Sequence, residues 1–232
     1  MVMNFAAIAR LSLFPILCAC TAADGSEAAG TVRTASALEG ASAGAGLSPK
    51  LSSLANFVHT PFFRQQTDST CGVAALQSVL GYYGDIDSAE PAVARELGSD
   101  DTGTRYKAMI RYAEARGYRT RVKKDMTVAD LEAHIARREP VIVLIQAWPD
   151  SPVDWVTTWD NGHYVVATGF DDDRVYFMDP WVRSRYAYIA KSEFVDRWHD
   201  VDGDDGALSH FGLIIDRAAG PHFDFDVAIR AE

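Results

Sequence analysis

Cys71, His163 and Asp179 are the side chains whose types and spacing in this sequence could carry covalent chemistry. A thiol attacks as thiolate, and free cysteine ionises near about 8.5, so a nucleophile at neutral pH needs its charge stabilised. Cys71 opens a strongly helical run, Cys71-Gly72-Val73-Ala74-Ala75-Leu76, with Thr70 in the position of an N-cap. Backbone N–H groups of a first helical turn have no partner within the helix and would point at the sulfur. Gly72 would keep the approach to it open. Against this stands the ordinary fate of a cysteine, which is to fill a core as a small apolar residue.

A base and an orienting group are needed too. His163 follows Asn161-Gly162 at the start of an apolar run, read as a strand, where its side chain can sit at the sheet edge near a cleft. The segment His163–Phe170 turns at Asp171-Asp172-Asp173 and returns along Arg174–Asp179. Strand pairing then brings Asp179 back to within a residue or two of His163, where a carboxylate fixes the tautomer and stabilises imidazolium. For the oxyanion, Gln65 stands six residues before Cys71 and Gln66 five, and spacing alone does not choose between them.

These groups need a scaffold. Val73, Leu76, Val79, Leu80 and Tyr83 recur at helical spacing up to Gly84. Further helices are expected at about Ser88–Leu97 before Gly98, Arg105–Arg116 before Gly117, and from a Thr127–Asp130 capping pattern to Arg138. Tyr118–Lys124 reads as a short strand and Val141–Ile145 as a buried central one. Strands at His163–Phe170, Arg174–Asp179, Arg185–Ile189 and Phe211–Asp216 follow, with a helix near Ser192–Trp198. Helices first and an antiparallel sheet second is α+β architecture.

The 232 residues carry a formal charge of −10 and show no basic stripe, which argues against a nucleic-acid partner. Residues 1–20 read as an export signal: after Arg10 the apolar run is too short for a membrane-spanning helix. Leu17-Cys18-Ala19-Cys20 resembles a bacterial lipoprotein signal, which would lipidate Cys20, remove Cys18 and leave Cys71 as the one free thiol. Residues 21–56, rich in Ala, Gly, Ser and Thr, read as a flexible tether, and 57–232 as the folded domain. The expected location is outside the cytoplasm, lipid-anchored in the periplasm or at the outer membrane, or else secreted.

Three separated motifs agree in order and spacing: Gln65 with Cys71-Gly72-Val73-Ala74-Ala75-Leu76, then Gly162-His163-Tyr164-Val165-Val166, then Asp179-Pro180. Together they resemble the papain-like cysteine peptidases that include the bacteriocin-processing, or double-glycine leader, peptidases. The resemblance runs from about Arg64 to Asp216. It implies a papain-like fold, with Gln65 as oxyanion donor, Cys71 as nucleophile, His163 as base and Asp179 as orienting residue. It also implies a peptide or protein substrate and no metal or organic cofactor. Thr70 departs from the transporter-linked members, which carry an acidic residue there, so the nearer likeness is to free-standing exported members. An acyltransferase or transpeptidase would use the same thiol, and a non-catalytic binding module of this fold is the other alternative.

Two further signals remain. Asp200, Asp202, Asp204 and Asp205 with Gly203 and Gly206 do not match a calcium loop, because Asp205 stands where glycine is required, and they read as a solvated turn. Trp148, Trp155, Trp159 and Trp181 cluster around the His163 hairpin, either as substrate subsites or as packing on the sheet. The long loop Trp148–Asn161 is the first place to look for specificity.

Overall fold

The computed structural model describes residues 50–85 and 89–217. Residues 1–49, which include the expected export signal, the expected lipidation position Cys20 and most of the expected tether, lie outside the described residues, as does Ser88 at the expected start of the second helix. A single 3-10 turn at Leu51–Ser53 precedes strand β1 (Asn56–Phe57), so regular structure begins slightly ahead of the expected boundary.

Helix α1 (Cys71–Tyr82) is buried along its whole length, as a helix apolar on every side must be. It packs on strands of the sheet on one side and on α2 (Glu90–Leu97) and α3 (Tyr106–Ala115) on the other. Gly72 makes that packing possible: an added Cβ would lie 2.5 Å from Met109 Cε and 2.8 Å from Thr104 Cβ. The expectation that Gly72 opens the approach to the sulfur is therefore corrected. Its bare face is already filled by α3 and its entry loop. Gly98 closes α2 in the left-handed conformation at φ 64°, as its position after the last apolar turn predicts.

β2 (Arg119–Lys123) leads to α4 (Val128–Ala136), which begins in the predicted capping box: Asp130 N–H donates to Thr127 Oγ1 and Thr127 N–H to Asp130 Oδ2, both at 3.1 Å. The apolar run becomes β3 (Val141–Gln146), buried at every residue. β4 (Gly162–Phe170), β5 (Arg174–Met178) and β6 (Tyr186–Ala190) follow as a meander, and α5 (Lys191–Arg197) leaves the edge. A hairpin of β7 (His199–Val201) and β8 (Ala207–Ser209) forms a small separate sheet before β9 (Gly212–Asp216). The main sheet runs β2-β9-β3-β4-β5-β6, with β1 also paired to β4, and every pairing is antiparallel. Among the described residues no helix is long and apolar enough to cross a membrane.

Candidate active site

Cys71, the expected nucleophile, stands at a helix end without a side-chain cap. Thr70 occupies the N-cap, but its side chain makes no cap, contrary to the sequence-based expectation. Its Oγ1 instead accepts from Thr67 N–H at 3.1 Å and donates to Thr67 O at 3.2 Å, closing the preceding loop on itself. The first-turn N–H groups of α1 are thus left for the sulfur. Burial pushes the Cys71 thiol up, but a hydrogen bond and charge from His163, with N–H groups of Tyr164 and Gly72, outweigh it and hold the thiol below its ordinary value. Tyr164 N lies 3.5 Å from Sγ. Cys71 is only 8% exposed, yet it lines an open cleft of about 750 Å³, so the sulfur is reachable.

A register shift brings the imidazole and carboxylate together. Val166 pairs with Met178 and Ala167 with Phe177, but Gly169 pairs with Tyr176, so Thr168 is an extra residue in β4. Continuing the Val166–Met178 step places Asp179 across from Val165, two residues from His163 and on the same face. Without the bulge it would fall opposite Val166, on the other face. His163 Nε2 lies 2.8 Å from Asp179 Oδ1, both side chains buried, which leaves Nδ1 for Cys71. Burial alone would lower the imidazole. The bonds to Asp179 and Cys71 overcome it and push His163 up to about 10. Asp179 Oδ1 also accepts Trp181 N–H at 2.9 Å, so the carboxylate is fixed from two directions.

The structure separates the two glutamines. Gln65 is buried, its N–H donating to Pro180 O at 3.3 Å and its Nε2 to Thr67 O at 2.9 Å, while Oε1 has no partner. It shares a small pocket with His163. The Gln66 side chain is exposed and lines neither cleft.

Two buried neighbours of the site are not legible in the sequence. Asp200 and Asp202 are buried, not a solvated turn as expected. Asp202 Oδ2 accepts Tyr164 O–H at 2.7 Å and the Tyr106 N–H that opens α3 at 2.9 Å, so it ties the helical layer to the residue whose N–H meets the sulfur. Asp200 Oδ1 accepts from Gln146 Nε2 at 3.0 Å, and Gln146 Oε1 accepts Asn161 N–H at 2.9 Å. Asp-Gly composition signals a turn, and only the distant partners Gln146 and Tyr164 reveal the burial. Burial pushes the Asp200 carboxyl from 3.8 to about 6, against hydrogen bonds from Val201 N–H and Gln146. The folded value lies above the unfolded one, so the native state binds the extra proton and this group's contribution declines as pH rises through about 4 to 6. Asp200→Asn is expected to gain melting temperature relative to the parent across that interval, reaching its full advantage above about pH 6. A pH-independent difference between the two melting curves would refute this.

The tryptophans divide. Trp148 and Trp181 line the small pocket with His163, and Trp159 lines the larger cleft with Cys71 while stacking at a tilt on His199, centroids 4.3 Å apart. Trp155 instead packs beneath the Arg197 guanidinium at 4.0 Å.

The sequence model of the peptidase C39-like family matches residues 57–204. The chain belongs to this family. It is 30% identical over 149 residues to the transport/processing ATP-binding protein ComA of Streptococcus pneumoniae, a match covering 60% of this chain and 18% of that protein. The chain thus spans less than a fifth of the curated relatives it matches. A crystal structure of a C39-like peptidase from Bacillus anthracis superposes with a TM-score of 0.52 at 19% identity, covering 72% of this chain and 98% of that one. The peptidase domain of Streptococcus ComA gives 0.49 at 17% identity, covering 68% and 99%. The fold is the α+β, papain-like architecture of C39 peptidases.

Proposed function

We propose that this C39-family domain is a cysteine peptidase that cleaves peptide bonds through a thioester on Cys71. The observation that carries the reading is the buried thiol at a helix start, hydrogen-bonded to an imidazole whose far nitrogen is held by Asp179. The thiolate attacks the scissile carbonyl carbon, forming the C–S bond and moving an electron pair onto oxygen. The Cys71 backbone N–H and the remaining Nε2 proton of Gln65 stabilise that oxyanion. Collapse of the intermediate breaks the C–N bond, and His163 gives its proton to the leaving amine. Water then attacks the thioester, giving a proton to His163, and the thiolate departs.

Profiling a diverse peptide pool with the protein, with Cys71→Ala as blank, is expected to yield products absent from the blank and an acyl adduct visible by intact mass. An acyl-enzyme that turns over only when an amine is added would assign acyl transfer instead. Equal silence from both proteins with no adduct would overturn the catalytic reading.

A further inference from the structure

The reacting pair sits between two clefts, and chemistry decides which half of a substrate enters each. The larger cleft contains Cys71 but not His163, and the smaller, about 170 Å³, contains His163 but not Cys71. The sulfur keeps the acyl half of the substrate, whereas the imidazole must touch the nitrogen that leaves. The small pocket therefore takes the leaving-group side, and two indoles, Trp148 and Trp181, line it together with Gln65, Asp68, Ala147 and Asn161.

Trp148 is 50% exposed and Trp181 43%. Among the described residues the one other aromatic ring this exposed is Tyr188, on β6. Both indoles are tied to the site by their backbones. Trp181 N–H donates to Asp179 Oδ1, and Trp148 follows Ala147, whose N–H donates to Asn161 O at 2.9 Å. Trp148 also holds φ 55°, a left-handed conformation costly for a bulky side chain. A strained backbone that keeps an indole in water beside the general acid suits an apolar partner that covers it on binding.

We infer that Trp148 and Trp181 form a leaving-group subsite for one large apolar side chain, borne by the residue immediately after the scissile bond. The inference rests on the acyl-enzyme reading above and adds which residue of the substrate is selected. A leaving amine and an attacking amine occupy the same place, so the subsite is read from aminolysis without a known substrate.

Cys71 of the full chain is acylated with the para-nitrophenyl ester of an N-acylglycine, and the thioester is partitioned among glycinamide, leucinamide, phenylalaninamide and lysinamide. Leucinamide and phenylalaninamide are expected to capture the acyl group about tenfold faster than glycinamide, the discrimination an apolar pocket gives a large side chain. Lysinamide should match glycinamide. Trp148→Ala and Trp181→Ala should each bring the leucinamide-to-glycinamide ratio towards unity, and Trp148→Phe should retain part of it. The ratio is internal to each variant, so a change in overall reactivity does not enter it. Equal capture of all four amides, a preference for lysinamide, or an apolar preference unchanged in both alanine variants would overturn the subsite. An ester that fails to acylate Cys71 would overturn the acyl-enzyme reading instead, and the subsite with it.

Discussion

Alkylation of Cys71 by iodoacetamide is expected to reach its plateau below the ordinary thiol value and to hold it to about pH 10, with no inflection at that ordinary value. The thiol is held below that value and the imidazole raised to about 10, so between the two the pair exists as thiolate and imidazolium. The signs agree, since each charge stabilises the other. In His163→Ala the imidazole's hydrogen bond and charge are lost. Burial, the largest influence on the sulfur, is then opposed only by the N–H groups of Tyr164 and Gly72. The thiol returns towards or above about 8.5, so on the acid side of that value the variant should react at least several-fold more slowly than the parent, as its thiolate is lost first. Asp179→Asn should shorten the plateau from its alkaline end, because the bond to Asp179 is the first of the influences that raise His163 against burial. A parent profile with one inflection near about 8.5, unmoved by His163→Ala, would end the ion-pair description.

Which parts of this site were legible in the sequence follows from how local their causes are. The run from Cys71, the Thr127–Asp130 capping box and the Gly98 stop involve neighbours within a turn or two, and all three stand where periodicity places them. The branched run at Val141 is buried throughout, as its composition requires. The return of Asp179 towards His163 was readable, but its face was not, because the extra residue at Thr168 sets the phase of the hairpin. Thr70 has the chemistry of a cap, yet Thr67, three residues back, takes its hydroxyl, and the helix end that carries Cys71 is left without a side-chain cap. Asp200 and Asp202 lay beyond reach for a related reason. Their Asp-Gly context belongs to a hairpin turn, and the turn is folded inward by Gln146, Tyr164 and Tyr106 from three other elements.

That inward fold gives the second large effect: Gly162→Ala should impair the site although alanine suits the local backbone. Gly162 begins β4, pairs with Gln146 across the sheet and immediately precedes His163. It is not among the glycines held at positive φ, so substitution carries no backbone strain and would by itself slightly favour folding. Space is the obstacle. A Cβ there would overlap the Asp200 carboxylate, lying 2.5 Å from its Cγ. The carboxylate has little freedom to yield, because Gln146 Nε2 holds Oδ1 and is itself bound to His199 O at 3.0 Å. Either Asp200 breaks from Gln146 or β4 lifts at Gly162 and carries His163 with it. Overpacking of this kind costs about 1–3 kcal/mol. Displacing the imidazole by about an ångström should lower Cys71 reactivity or turnover on the order of 10²-fold. The double variant Gly162→Ala, Asp200→Ala should recover most of the reactivity, since removing the carboxylate gives the new methyl its space. Parent-like melting and alkylation in Gly162→Ala, or no recovery in the double variant, would show that the carboxylate does not fix the strand that carries His163.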